Sequence, residues 1–290
     1  MEQLLPFILA FFGGVFGTAI GGASAFILFG LMAMIGIATL VTTGDPTFLE
    51  GVALNPVFAP FATFIGAFAA AAYTAKLSRE GKLQNADGSE AEPFAGGNIF
   101  APLLPFKNIS ILLVGGVFGV IGFGLLVLLD DIIGLPADNI GVAVLLGGIL
   151  VRLVFGDGDF QSQLPPKVQK RHMITQNLGF NVLWAFSLSV LMATVICVIQ
   201  QPLFGFALGA FSLIFIAAGI VDFPMIHHIA FIAGLAMQVT GNIWIAGIFG
   251  VIAMLLGDTI GVVANVQTKS HIDPPAGAIA ILSLILLGLF

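Results

Sequence analysis

Residues 6–40 read PFILAFFGGVFGTAIGGASAFILFGLMAMIGIATL and contain no charged residue over 35 positions. The hydrocarbon core of a bilayer is about 30 Å thick, and about 20 apolar residues in a helix cross it. A straight helix of 35 residues would measure roughly 52 Å, so this stretch must tilt strongly, break or fold back on itself. We expect the interruption at one of the clustered glycines: Gly13, Gly14, Gly17, Gly21 and Gly22.

The composition of the whole chain points to a membrane. Of 290 residues, 59% are hydrophobic and 8% are charged, whereas a soluble domain carries about a quarter charged residues. These values exclude a soluble enzyme and a disordered scaffold, and a net charge of −6 without a basic stripe excludes a nucleic-acid-binding protein. The single cysteine, Cys197, excludes a disulfide framework and a thiolate metal site. The N-terminus lacks the features of a removable signal, so we expect its apolar run to be retained.

Nine runs can be read as transmembrane helices. They cover residues 6–40, 52–75, 109–129, 139–155, 178–199, 203–221, 224–239, 243–266 and 275–290. The sequence therefore predicts an all-α integral membrane protein of about nine transmembrane helices, of which the first is broken or forms a hairpin.

The basic residues predict the orientation. All nine lie in or beside loops that this count places on one side: Lys76, Arg79, Lys82, Lys107, Arg152, Lys167, Lys170, Arg171 and Lys269. By the positive-inside rule these loops are cytoplasmic in a multi-pass protein of the cell membrane. The N-terminus is then cytoplasmic and the C-terminus outside. If residues 6–40 form a hairpin, the N-terminus moves outside and nothing else changes.

Similar residues recur in the same order in the two halves of the chain. Residues 16–24 match 204–212, and Pro56 with its neighbours matches Pro224 with its own. Further matches join 108–121 to 242–252, 131–134 to 258–261, and 136–150 to 275–287. We interpret the chain as two four-helix repeats: residues 1–155, with a polar cytoplasmic loop at 77–107, and residues 201–290. Residues 156–177 form a cytoplasmic linker, and 178–200 a connecting transmembrane helix.

A single connecting span turns the second repeat upside down relative to the first. The two repeats are therefore predicted to be inverted, with an axis in the membrane plane. Transporters built this way bind their solute near the bilayer midplane, where the repeats meet. The alternative is a duplicated membrane scaffold that transports nothing.

Few residues could carry chemistry inside the membrane. Asp258 lies within an apolar run, and an intramembrane acid is a candidate for ion or proton coupling. Its repeat counterpart is Asp131. The alternative is an acid at a helix end that is wetted from the cytoplasm. His227 and His228 are candidates for a proton relay or for hydrogen bonds to a solute, although histidines at a helix end can also lie among lipid headgroups.

Proline and asparagine mark interrupted helices, among them Asn108, Asn242 and Asn265 and the motif Asp273, Pro274, Pro275. Half-helix N-termini present unpaired N–H groups that suit an anion or a polar solute. Small residues there could line a path, or could instead serve close helix packing. The predicted solute-binding residues are Gly21, Ser24, Asn55, Pro56, Gly209, Ser212, Pro224, His227 and His228.

The stretch Asp273-Pro274-Pro275-Ala276-Gly277-Ala278 resembles the His-Pro-Pro-Ala-Gly-Ala run that opens the last helix of the HPP family of membrane proteins. Phe204-Gly205 and the helix between Pro224 and Gly234 follow a similar order, so the resemblance covers roughly residues 203–286. Here Asp273 replaces the signature histidine. The resemblance implies four spans in this half and, since some members are implicated in nitrite movement, a small anion or solute.

The sequence thus predicts a secondary permease for a small polar or anionic solute, coupled to a proton or sodium ion and assembled as a homo-oligomer in the lipid bilayer. Two alternatives stay open: a passive channel of the same architecture, and a membrane subunit that docks a partner through its cytoplasmic loops. No motif for an enzyme, a metal or another cofactor, or nucleic-acid binding is present.

Overall fold

The computed structural model describes residues 4–156, 158–161 and 176–290, in which the chain forms eleven α-helical segments. They are α1 (Leu5–Ile20), α2 (Gly22–Thr43), α3 (Pro60–Arg79), α4 (Ile109–Val127), α5 (Asn139–Phe155), α6 (Leu178–Ile199), α7 (Leu203–Ser212), α8 (Ile214–Ala217), α9 (His227–Thr240), α10 (Ile243–Ala264) and α11 (Pro274–Leu289). Short π-helical segments follow α2 and α4, at Leu49–Ala53 and Leu128–Ile133. Most of the predicted linker at 156–177 lies outside the described residues, as do Lys167, Lys170 and Arg171.

Within the described residues, four helices are long and apolar enough to cross a membrane: Gly22–Thr43, Ile109–Ile133, Leu178–Ile199 and Ile243–Ala264. Shorter apolar helices cover Leu5–Ile20, Asn139–Phe155, Leu203–Ala217 and Pro274–Leu289. α3 is a central helix, because nearly all of its side chains from Pro60 to Ala75 are buried. The prediction of an all-α protein is confirmed, and so is the presence of helices long and apolar enough to span a membrane. The count of nine spans and the repeat arrangement stay predictions.

The expected break in residues 6–40 occurs at Gly21, which separates α1 from α2. Its φ is +92°, a conformation that suits glycine. The loop before α4 fixes both sides of this turn, because the Leu103 amide donates to the Thr18 carbonyl at 3.2 Å and the Ala23 amide donates to the Ile99 carbonyl at 2.9 Å.

The chain reverses at Gly21. Helix α1 runs parallel to α3 and to the residues that precede it, whereas α2 runs antiparallel to α3. Residues 6–40 therefore form a helical hairpin and not one bent helix. The contacts that fix these directions are Gly13–Pro56 and Gly17–Thr63 for α1, and Gly22–Ala67 and Phe26–Phe64 for α2.

Glycines let the backbones of α1, α3 and α4 touch. A Cβ atom added at Gly14 would collide with the Gly115 carbonyl oxygen, and one at Gly66 would lie 2.5 Å from the same oxygen. The Thr18 hydroxyl donates to the Gly14 carbonyl at 2.8 Å and contacts Gly115. Such close approach is how small residues hold membrane helices together.

Two glycines on α4 give a matched test of this packing. A Cβ at Gly122 would collide with the Phe61 carbonyl oxygen, whereas a Cβ at Gly124 meets nothing within 4 Å. We expect Gly122→Ala to destabilise the protein by roughly 1–3 kcal/mol through overpacking, and Gly124→Ala to be neutral or to stabilise it by up to about 1 kcal/mol. Thermal unfolding in detergent measures both. Equal melting temperatures would contradict the contact.

A second group consists of α6, α9 and α10. Here side chains lie between the helices. Gly250 faces the Ser189 hydroxyl, and a Cβ atom added at Gly247 would lie 2.5 Å from the Phe186 ring. The two groups are joined by the pairs α2–α7 and α5–α11. At the second junction the Asp138 amide donates to the Ser283 hydroxyl at 2.8 Å.

One end of the bundle, which we call the basic end, carries the loops at 80–108 and 265–273. The backbones of Gly96 and Lys269 touch there, and the Arg79 guanidinium donates to the Phe155 carbonyl at 2.9 Å. The basic residues of this end in the described part of the chain are Lys76, Arg79, Lys82, Lys107, Arg152 and Lys269.

Arg152, at the end of α5, is fully buried and holds the loop between α10 and α11. Its guanidinium donates to the Ser270 hydroxyl at 2.6 Å, the Ser270 carbonyl at 2.7 Å and the Ala264 carbonyl at 2.8 Å. Longer bonds reach Asp159, Asn265 and Thr268. Arg152 therefore fastens one half of the molecule to the other.

Candidate functional site

A cavity of about 460 Å³, which we call the vestibule, opens between α6, α9, α10 and α11. Val266, in the loop at the basic end, lines it, and so does buried His228. The vestibule therefore leads from the basic end towards the start of α9. It brings together residues that the sequence placed in three separate stretches: Pro224, His228, Asp258, Pro274 and Pro275.

A second, smaller space of about 50 Å³, the central cavity, lies among α2, α3, α5, α7, α9 and α11. Four phenylalanine rings line it, those of Phe26, Phe64, Phe100 and Phe206, together with His227 and Asp273. The His227 ring centroid lies 5.1 Å from that of Phe26 and 5.7 Å from that of Phe206. This cavity has room for water-sized groups and touches helices of both halves.

The two adjacent histidines stand between the cavities. His228 faces the vestibule, His227 faces the central cavity, and Met225 lines both. His227 is 4% exposed and His228 6%. In the described residues the Nδ1 atom of each ring has no hydrogen-bond partner, which costs about 1–3 kcal/mol for a buried polar atom. Such unpartnered atoms are rare in native interiors, so these two make the position a candidate for binding a solute or water.

The first turn of α9, which begins with these histidines, has no side-chain cap. The N–H groups of a first turn have no partner within the helix, and the helix dipole places partial positive charge there. An electronegative group would therefore be stabilised beside the two rings.

Two aspartates cap the helices on either side of the central cavity. The Asp138 carboxylate accepts from the Gly141 amide at 2.8 Å in α5, and the Asp273 carboxylate accepts from the Ala276 amide at 2.7 Å in α11. Gly141 and Ala276 both line the cavity. Asp273 also contacts the His271 ring at 3.2 Å, so both of its oxygens are engaged. The predicted helix-break motif thus serves as a helix cap at the cavity wall.

Asp258 and Asp131 have different surroundings. Asp258 is exposed to the vestibule, on the α10 turn beside Gly257, whose added Cβ would lie 2.9 Å from the His228 ring. Asp131 is exposed in the π-helical segment after α4 and lines neither cavity. Only Asp258 of this pair is placed to contact a solute in the vestibule.

The remaining predicted residues line neither cavity. Gly21 and Ser24 flank Ala23, which does line it, and Gly209 packs against His227. The Ser212 hydroxyl donates to the Gly209 carbonyl at 2.7 Å, so it is engaged within α7. Asn55 closes the turn before α3, and Pro56 packs on Gly13. Gly209 and Pro56 therefore support helix packing, the alternative reading of the small residues, whereas Asn55 serves a turn and Ser212 a bond within α7.

Some residues at the site escaped the sequence analysis. The four phenylalanines of the central cavity are hidden among 28 in the chain, and nothing in their spacing distinguishes them. Asp138 could have been found from its position three residues before Gly141, which parallels Asp273 and Ala276. Within the described residues no group of three His, Cys, Asp or Glu side chains could hold a metal ion.

These features define an all-helical protein with several helices able to span a membrane and with two cavities beside buried histidines. The chain belongs to a family of unknown function, DUF7973, whose sequence profile matches residues 1–160 and 179–290. Neither a curated protein nor a solved structure matches it significantly.

Proposed function

We propose that this protein is a membrane transporter for a small polar or anionic solute, with its site around His227 and His228 near the bilayer midplane. The observation that carries the proposal is a vestibule that ends at one unpartnered buried histidine, with a second such histidine facing an inner cavity. A scaffold without a solute path would gain stability from apolar residues at both positions.

We propose two five-helix units in place of two four-helix units with a spacer, and the helix packing supports this division. Helices α1, α3 and α4 pack together as α6, α9 and α10 do. Helix α2 packs on α3 as α7 packs on α9. Helix α5 packs on α3 and α4 as α11 packs on α9 and α10. In this scheme α6 is the counterpart of α1 and not a connecting helix. Five spans are also an odd number, so the units would still be inverted.

The two units differ in how open they are. The vestibule lies among α6, α9, α10 and α11. The corresponding region of the first unit is filled by Phe7, Phe61 and Phe123, whose ring centroids lie 4.9 and 5.8 Å apart. An inverted repeat allows these two regions to exchange roles. We therefore interpret this conformation as open at the basic end and closed at the other.

The chemistry of the path favours a solute with an electronegative group, for which α9 offers amides and two imidazoles. No Lys or Arg among the described residues lines either cavity, whereas Asp258 lies in the vestibule. An anion would pass this carboxylate more easily once it has bound a proton or a sodium ion. Asp258 is therefore our coupling group.

Replacing Asp258 tests the coupling. In proteoliposomes we expect Asp258→Asn to abolish accumulation driven by an ion gradient, while exchange of solute across the membrane persists. Asp131→Asn removes an equal charge outside both cavities and should accumulate solute like the parent. Unchanged concentrative uptake by Asp258→Asn would remove this role.

The solute itself can be sought with a thermal-shift screen over small anions, amides and metabolites, followed by uptake of each stabilising compound. Accumulation above equilibrium supports a transporter. Flux that only equilibrates and does not saturate would favour the passive channel. Absence of flux, together with a stoichiometric soluble protein that co-purifies, would favour a membrane subunit of a larger complex.

Orientation and assembly belong to the same proposal. With the basic end in the cytoplasm of a cell-membrane protein, the α1–α2 hairpin places both termini outside. Homo-oligomer formation and the resemblance of residues 203–286 to the HPP family stay predictions.

A further inference from the structure

Two adjoining cavities lie on the lipid-facing side of the α4 N-terminus, away from the solute path. The first, of about 410 Å³, is polar and is lined by Lys82, Asn85, Lys107 and Ser110. The second, of about 170 Å³, is lined by Leu103, Leu104 and Leu112. Lys107, Asn108 and Ile109 line both, so the two cavities form one groove with a cationic and an apolar part.

The groove lies where a helix long and apolar enough to span a membrane begins. α4 opens a long apolar helix at Ile109, which is 73% exposed, and Leu104 is 46% exposed. Two lysines within a few residues of such a span start lie where lipid phosphates are found. Both apolar side chains face outward, where acyl chains would contact them.

The charged side chains that line the groove are two lysines, Lys82 and Lys107. Lys82 pairs with Glu80 at 2.7 Å, and this hydrogen bond raises the pKa of Lys82. No ion pair of Lys107 occurs in the described part of the chain. No carboxylate lines either cavity, so the groove favours an anionic headgroup over a zwitterionic one.

We infer that this groove binds one anionic phospholipid of the leaflet at the basic end, with its phosphate between Lys82 and Lys107 and an acyl chain along Leu104 and Leu112. The polar cavity accepts a headgroup, which the turn at 85–89 covers through the bond from the Asn85 amide to the Ser89 carbonyl. This site is independent of the proposed solute path.

Native mass spectrometry of the detergent-solubilised protein tests the site. The purified chain is titrated with phosphatidylglycerol, with phosphatidylcholine of the same acyl chains, and with glycerol phosphate, which lacks them. We expect one phosphatidylglycerol per chain, bound more tightly than the other two. K82Q/K107Q should weaken its binding by about fivefold for each lysine.

The matched control, K76Q/K269Q, removes two charges from the same end outside the groove and should bind like the parent. Leu104→Asn should weaken phosphatidylglycerol binding without changing that of glycerol phosphate. The inference is overturned if phosphatidylcholine binds equally well, if the two lysine pairs have equal effects, or if glycerol phosphate matches the lipid. Melting temperatures of all variants within a few degrees of the parent ensure that binding and not folding is compared.

Discussion

Arg152→Met is expected to lower the free energy of unfolding by about 3–5 kcal/mol. The substitution removes the donor shared by three acceptors, two on buried Ser270 and one on half-buried Ala264. Each unsatisfied buried group costs about 1–3 kcal/mol, and relief from burying the guanidinium charge offsets part of the sum. The loop between α10 and α11 would also lose its attachment to α5.

Arg79→Met is the matched control, because the exposed Arg79 makes one bond, to the Phe155 carbonyl, at the same end of the bundle. We expect a loss below about 1 kcal/mol. Denaturant or thermal unfolding in a fixed detergent compares the two variants. Arg152→Lys should recover only part of the stability, since one ammonium group cannot reach all the acceptors. If Arg152→Met and Arg79→Met unfold alike, the role of Arg152 as a fastening between the halves is wrong.

The second large effect concerns the two histidines and has opposite signs for stability and transport. His227→Leu combined with His228→Leu removes two unpartnered Nδ1 atoms from a buried site. We expect the variant to be as stable as the parent or more stable, by up to about 1–3 kcal/mol. Uptake should fall to the background of empty liposomes, because the path loses its polar groups between the two cavities.

Ile232→Val is expected to have the opposite effects, a loss of stability with unchanged uptake. Ile232 lies on the same helix, is fully buried and lines neither cavity. Its shortening should cost about 0.5–1.5 kcal/mol and leave uptake intact. Parallel melting and uptake measurements separate the cases. If the two histidines served only the fold, replacing them would lower the free energy of unfolding. That result would reject the proposed site.

Local sequence features predicted the helix boundaries well where a single residue decides them. Gly21 interrupts 35 uncharged residues, and the break lies there. Asn108 and Asn242, expected beside interruptions, are N-caps whose side chains accept amide hydrogens at 2.9 Å. Capping and chain reversal depend on a few neighbouring residues, so a linear reading can find them.

The repeat stays a prediction, and its residue matches alone do not tell how the helices pack. Gly17 and Gly205 match by spacing, yet Gly17 lies on α1 against Thr63, whereas Gly205 lies on α7 against Ala230. Glycine and alanine are so frequent that their spacing does not identify which helix packs against which. Both α1 and α2 pack on α3, in opposite directions, and only the contacts between the helices reveal this difference.

By itself, the sequence determined the all-helical class, the presence of helices long and apolar enough to span a membrane, and the group of five glycines that contains the first break. The reason is that burial in lipid requires long apolar helices with all backbone bonds internal. The tertiary structure alone decided which side chains meet. Asp258, His228 and Pro274 come from three stretches and share one vestibule, and Arg152 finds its acceptors more than a hundred residues away. Contacts at that separation follow from how helices pack, which no local period or motif encodes.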